Sequence, residues 1–504
     1  MGVWGLAAAI AAVPASADPA VALAVARTPV ALDPAAQIAP ALPTSPVVLP
    51  ARAAPTATPW RALAEQIIAL SIGTVGYAVT RPEANGAHPV SIVDKVRFAS
   101  GAWGFDADSI ATNYIGHPIA GFLYYQLARA NHLGVGASLG MAVGTAYGWE
   151  LAEYQELVSV HDILSGAAGA LALGESFTQL AAWLAQRPGV PARALSILCQ
   201  LPRSARSHLD GAPPPAPQHW GLADVAVWGG VGGNGPHPVG DVAVLRTGAR
   251  VQLVREAAMG EPGRGWQALL DGNIARLSTG FAWGRPGLVA AEFNAFASAF
   301  GTYGREFDAA GHGWDLLAAL GGGFDYLRRA VPAAGGWPDD KLALVRLPGV
   351  ELTVGLRRGW LRAELGVEGA ATLGGVTPLP LLGLPKDLPG APAVLRYSGY
   401  YHALGAMVAP SVLVAIGPVE LRTSVRFDWL QAITQRDVAP PVDGSRMALS
   451  DERRAWKLSV LVPTPWRGVQ VRAVGELCDR WGAAAQQSAE RRDLSALVAL
   501  ELDP

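Results

Sequence analysis

From about residue 220 onward, apolar and polar residues alternate with a period of two. In LRAELGVEG, Leu361, Ala363, Leu365 and Val367 are apolar, while Arg362, Glu364, Gly366 and Glu368 are charged or small. In VELRTSVRFDW, Val419, Leu421, Val425, Phe427 and Trp429 alternate with Glu420, Arg422, Ser424, Arg426 and Asp428. Successive side chains on a strand point to opposite faces, so each segment carries one apolar and one charged face. Weaker versions recur near 242–255, 287–301, 313–328, 350–358, 456–462, 468–481 and 494–502. The pattern predicts about ten to twelve strands, an even number in a bacterial outer-membrane barrel.

Length separates a membrane barrel from a soluble sandwich. Soluble strands run about 5–6 residues, whereas tilted outer-membrane strands need about 9–11. The two quoted segments match the longer class. Trp283, Trp314, Trp360, Trp429, Trp456 and Trp481 fall at segment ends, where aromatic girdles meet lipid headgroups. The expected fold is therefore an antiparallel β-barrel of outer-membrane type. Its apolar set faces lipid, and Arg362, Glu364, Glu368, Glu420, Arg422, Arg426 and Asp428 face the lumen. A soluble periplasmic barrel or sandwich is the alternative that alternation also permits.

The first half reads differently. Helical patterns cover Trp60 to Val79, Pro118 to Asn131, Gly136 to Glu156 and Val160 to Gln186, and none is a clean membrane span of about 20 apolar residues. The overall class is α+β multidomain, a compact N-terminal helical domain followed by the barrel. Val3 to Val13 and the small-x-small Ala15-Ser16-Ala17 give a signal peptide over 1–17. An Ala/Pro-rich linker follows at 18–59, the helical domain at 60–201, a Pro-rich linker at 202–219 and the barrel at 220–504. Gly136, Gly140, Gly144 and Gly148 share one helix face, and Gly166, Ala170 and Gly174 repeat the spacing. These two stripes predict close helix-on-helix packing, with a groove for a lipid chain as the sharper alternative.

Composition sharpens this picture in two ways. Hydrophobic residues make up 51% and charged residues only 16%, against about 25% charged in a soluble domain; the deficit points to lipid contact. A net charge of −2 argues against a nucleic-acid partner, which requires a basic patch. Cys199 and Cys478 supply neither a disulfide framework nor zinc-ligand spacing. No phosphate-binding, nucleophile-elbow or zinc-protease motif occurs, so neither a cofactor nor a metal is expected. His312 and His402 stand isolated in the strand region.

The residues suited to chemistry lie in the helical half. Asn113 and His117 stand in NYIGHPIAG, Arg129 in YYQLARANHLG, Trp149, Glu150 and Glu153 in GWELAEYQE, and Ser159, Asp162 and Glu175 in SVHDILSGAAGALALGE. Ser159 and Asp162 fit a helix capping box. Glu153 and Glu156 read as a solvated helix end. His117, Arg129, Glu150 and Asp162 read as a buried polar network, with Asn113, Ser159, Glu175 and, on the alternative reading, Glu153 as further polar-network or ligand-binding candidates.

This run resembles the bacterial domain-of-unknown-function 3943 family over about residues 100–185. It shares an Asn ahead of Gly-His-Pro, an Arg near the end of that helix, a Trp-Glu pair, and a Ser-x-x-Asp leading to Gly-Ala-x-x-Gly-Glu. The resemblance implies an exported envelope protein of Gram-negative bacteria and no known activity.

The combined reading favours a non-enzymatic outer-membrane protein with a periplasmic helical domain and a structural, ligand-binding or transport-related role. Its partners would be outer-membrane lipid and an envelope lipid or small-molecule ligand. The rival is a hydrolase acting on an envelope lipid or glycan, with His117 as general base, Glu150 or Asp162 orienting it, and Arg129 binding a phosphate or carboxylate of the substrate. A third reading is a soluble periplasmic binding protein.

Overall fold

The computed structural model describes residues 56–80, 92–96, 103–105, 108–153, 158–210, 218–235, 242–284, 287–330, 339–382, 395, 398–433, 448–466, 468–484 and 487–502. The expected signal peptide, nearly all of the first linker and Glu156 lie outside them. The helices are α1 (Pro59–Thr80), α2 (Ile92–Val96), α3 (His117–Ala130), α4 (Val135–Ala152), α5 (Val160–Gly169), α6 (Ser176–Leu184), α7 (Val190–Cys199) and α8 (Leu201–Leu209). A π-helical turn, Thr112–Gly116, leads into α3, and a second, Ala170–Glu175, joins α5 to α6. A short parallel pair, β1 (Trp103–Gly104) with β2 (Val158–Ser159), ties the loop before α3 to the start of α5.

The strands are β3 (Leu222–Gly235), β4 (Val242–Val254), β5 (Gly263–Leu269), β6 (Ile274–Gly284), β7 (Gly287–Phe307), β8 (Gly313–Ala330), β9 (Asp339–Arg358), β10 (Leu361–Val376), β11 (Tyr401–Ile416), β12 (Val419–Ala432), β13 (Leu449–Pro463), β14 (Val469–Ala484) and β15 (Gln487–Leu502). All pairings among them are antiparallel. Twelve close a ring through β15–β3 and β7–β8, while β5 pairs only with the overhanging end of β7, Gly301–Phe307. This is a twelve-stranded barrel of outer-membrane type, and closure leaves no unpaired edge within the ring.

Alternation decides which way each residue faces. On β9, Leu342, Leu344 and Arg346 point inward. Inward Leu342 and Leu344 meet Leu430 of β12, Leu449 of β13 and Ala484 of β14, together with Leu381 and Leu395 from the β10–β11 connection. That connection enters the lumen: a Cβ on Gly482 would meet Leu379 and Pro380. Outward, Leu352 and Leu356 of β9, Val412 and Ile416 of β11, and Val498 and Leu500 of β15 are exposed, the outward apolar band expected from the alternation.

The helices do not form a separate domain. Residues 55–504 are one compact unit. Outward-facing Val251 and Leu253 of β4, Ala275 and Leu277 of β6, Ala295 of β7, Phe324 of β8, Val345 of β9 and Leu373 of β10 are buried under Ile110, Tyr114, Ala168, Ala172, Leu173 and Trp183. The helical layer therefore lies on the convex outer wall of the barrel. The apolar faces of the two layers bury against each other, so the expected helical region is present but packed on the barrel wall. The expected linker at 202–219 is likewise corrected, because its first part forms α8, opened by Pro202 in the first turn and tied by Arg206 to Asn131.

The two glycine stripes part company. Gly166, with Gly169 and Gly174, carries the close packing of α5 on α3: a Cβ on Gly121 would collide with the Gly166 carbonyl, one on Gly169 with Pro118, and one on Gly174 with Tyr125. On α4, Gly136, Gly140 and Gly144 face open space, and only Gly148 approaches a neighbour, Leu70. The expectation of close packing fails for the α4 stripe because α1 and α3 pack on its other side, at Ala142 and Thr145.

Candidate functional site

Three helix ends converge beneath the rim of the barrel. The π turn and Pro118 fix the start of α3, so His117 projects toward α5. His117 Nε2 stands 3.3 Å from Asp162 Oδ1, and His161 Nε2 stands 2.9 Å from the same oxygen. Glu150, at the end of α4, accepts the main-chain N–H of Ser159 at 2.6 Å. Donor atoms of His117, Glu150 and Asp162 all lie within 4.8 Å of one another. His161 and the two carboxylates are buried, whereas the His117 side chain keeps 17% of its surface accessible.

The barrel supplies the far wall. The His161 and His402 rings stand 4.3 Å apart, with Phe105 stacked on His161. Tyr114 Oη is 3.0 Å from His402 Nδ1, and Asn113 Nδ2 donates to Tyr400 Oη at 2.8 Å. Tyr400 Oη in turn donates to the Asp108 carbonyl. His402 is thus no isolated strand-end residue. Its partners Tyr114 and His161 are hundreds of positions away, so no local spacing could have paired them.

Ser159 does not cap α5. Its side chain makes no capping bond; Ser159 Oγ lies 2.8 Å from His161 Nδ1 instead, because the Asp162 carboxylate is turned toward the two histidines. Ser159, His161 and Asp162 form a serine–histidine–aspartate chain of polar contacts, yet all three are buried, which denies a substrate carbonyl access to the hydroxyl. Glu153 is not solvated either: it is buried and accepts the Trp149 indole N–H at 2.6 Å. Lys95 reaches the same turn, donating to the main-chain carbonyls of Glu150 and Glu153, as suits a cation at a helix C-terminus.

Arg129 and Glu175 belong to a second cluster. Twelve positions separate His117 from Arg129, roughly 18 Å along the α3 axis. Arg129 Nε pairs with Glu175 at 3.3 Å and its Nη1 with Asp271 at 3.3 Å. Tyr125 donates to Glu175 at 2.6 Å, and Gln179 bonds both Glu175 and the Gly272 carbonyl. This cluster joins the helices to the turn between β5 and β6. It takes Arg129 away from His117, so the arrangement in which Arg129 binds a substrate anion beside His117 is not formed.

Burial raises the Glu175 carboxyl above its ordinary value; Arg129 and the Tyr125 hydroxyl act in the opposite direction without offsetting it. Arg129→Met removes the stronger opposing influence and lifts the carboxyl further. Its stability deficit is expected to be small in acid, where the carboxyl is protonated in folded and unfolded chains alike. The deficit then grows as pH rises through the raised folded value of the wild type, and levels off above the variant's own, higher value. Thermal unfolding in detergent across pH checks this; a deficit independent of pH contradicts it.

Residues 102–198 match the family model described as domain of unknown function DUF3943, and it is to this family that the helical layer is similar. No curated protein matches the chain. Among solved structures, it is similar to the translocator domain of the autotransporter NalP from Neisseria meningitidis, with 12% identity over 60% of this chain and 94% of that one and a TM-score of 0.20. It is also similar to the outer-membrane protein OmpT of Vibrio cholerae, with 8% identity, 56% and 98% coverage and a TM-score of 0.22. For OprB of Pseudomonas putida the values are 9%, 59%, 96% and 0.22. Superpositions this loose add nothing to the strand pairing above.

Proposed function

We propose that this chain is a non-conducting outer-membrane protein that binds a lipid-phase ligand on the outside of its barrel. The observation that carries this reading is the position of the helical layer on the outer wall of the barrel, with the partly accessible His117 held within that layer. The layer also presents an apolar surface of its own: Ile67, Ile68, Ile72, Val75 and Val79 of α1 are exposed on one helix. A run of that kind is out of place in water and at home against acyl chains. No described helix is long and apolar enough to cross a membrane, so the layer rests against the barrel.

The lumen supports the same reading. Arg491 of β15 and Arg480 of β14 both reach Asp340 of β9 across the barrel. Arg329 of β8 pairs with Asp493 of β15, and Arg426 of β12 with Asp325 of β8 at 2.8 Å. These pairs are chords, not neighbours, and they partition the interior.

Connection length supports an orientation, since outer-membrane barrels keep their shorter turns on the periplasmic side. The turns at 359–360 and 417–418 lie on the rim that carries Leu222 and Leu502, while the strand ends Ala330 and Asp339, Val376 and Tyr401, and Ala432 and Leu449, separated by longer stretches of sequence, lie on the other. The Arg129–Glu175 cluster then sits at the periplasmic rim and the His117 cluster toward the outer one. In planar bilayers the purified protein is expected to give no stable conductance steps, and native mass spectrometry is expected to find retained lipid. Steady unitary steps, or a folded protein that carries no lipid out of mild detergent, would overturn the proposal.

A further inference from the structure

We propose that His117, Glu150 and Asp162 form a binding site for one divalent transition-metal cation of the zinc class. The inference stands on the donor set alone and does not depend on the lipid reading. One imidazole and two carboxylates, drawn from the ends of α3, α4 and α5, bring their donor atoms within 4.8 Å of one another. Tetrahedral zinc with bonds of about 2.0–2.2 Å draws its ligands closer than that, so binding tightens the three helix ends.

Each carboxylate donor is already held from behind. Glu150 takes the Ser159 N–H, Asp162 faces His161 Nε2, and His161 is itself fixed through Nδ1 by Ser159 Oγ. Contacts of this kind behind the ligands orient them and set their basicity. A cation also neutralises two buried carboxylates that otherwise repel across a site of low polarity. Because His117 is the accessible member, it marks the side on which the ion enters and on which a fourth ligand, water or the anionic group of a bound molecule, would sit. Three protein ligands with one open position is the pattern of a reactive site, whereas a purely structural zinc is enclosed by four.

The test uses the untagged full-length protein in detergent, stripped with chelator and titrated with zinc, then with cobalt as a spectroscopic substitute. One equivalent is expected to bind, to raise the unfolding temperature, and to give visible cobalt absorption of a four- or five-coordinate site. His117→Ala is expected to abolish stoichiometric binding while leaving the fold intact, since that side chain is partly exposed. His161→Phe preserves the stacked ring and removes the polar contact with Asp162, and should weaken affinity about ten- to a hundredfold. His312→Ala, on an exposed turn beside Asp308, should change nothing. Stripped wild type that takes up no stoichiometric zinc, or binding equal in His117→Ala and wild type, overturns the site. So does loss of binding in His312→Ala.

Discussion

Arg480→Leu is expected to destabilise the barrel by about 3–5 kcal/mol. The Arg480 guanidinium donates to Asp451 at 2.8 Å, to the Thr377 carbonyl at 2.7 Å, and to Asp340. All three charged groups are nearly dry, with exposures of 3%, 1% and 2% for Arg480, Asp451 and Asp340. Removing one partner of a buried ionic cluster leaves the others desolvated and unpaired, which is where that magnitude comes from. Two consequences follow from the geometry. The connection that enters the lumen loses its anchor at Thr377, and Asp340 is left with Arg491 across the barrel and the neighbouring Arg329 of β8. The measurement is thermal unfolding in detergent, read as the loss of the heat-modifiable folded band. A triple variant that also replaces Asp340 and Asp451 by leucine should recover much of the loss, because an apolar filling of similar volume is often as stable as a buried ion cluster. If Arg480→Leu unfolds at the same temperature as wild type, the lumen chords do not carry the barrel's stability.

How much of this was legible beforehand depends on which residues had to find each other. The barrel was readable because its signal is local: Leu365 and Glu364 declare their faces through neighbours two positions away. The seam between helices and wall was not. Ala275, Ala295 and Ala343 look like ordinary outward-facing barrel residues, and nothing in their segments says that a helix rather than lipid will cover them. The His117, Glu150 and Asp162 trio was recognisable as a set of suitable residue types, and the structure brings those three together. Arg129 and Glu175 were grouped with them by sequence proximity, but α3 is a rod, and its two ends are separated by most of its length. Tyr114, Tyr400 and His402 could not be grouped at all, since a contact between residues hundreds of positions apart leaves no periodic trace.

The glycines make the sharpest test of the helical layer, because the same glycine-to-alanine change should have opposite signs at different positions within it. Gly121→Ala places a methyl group against the main chain of Gly166 on α5. Backbone cannot swing aside as a side chain can, so α3 and α5 must separate. The expected cost is about 1–3 kcal/mol from overpacking, with a larger loss where the whole interface shifts. Gly169→Ala, directed at Pro118, should behave alike and should also disturb the His117 cluster, because Pro118 follows His117. Gly140→Ala and Gly144→Ala on α4 meet nothing within contact distance. There helix propensity decides the outcome, and alanine is favoured over glycine by about 1 kcal/mol. Paired unfolding curves for Gly121→Ala and Gly140→Ala check the contrast directly. Equal destabilisation by both would mean that the exposed stripe of α4 is covered in the folded protein by a closely packed neighbour. That would restore the two-stripe packing suggested by the sequence and move the lipid-facing surface of the layer elsewhere.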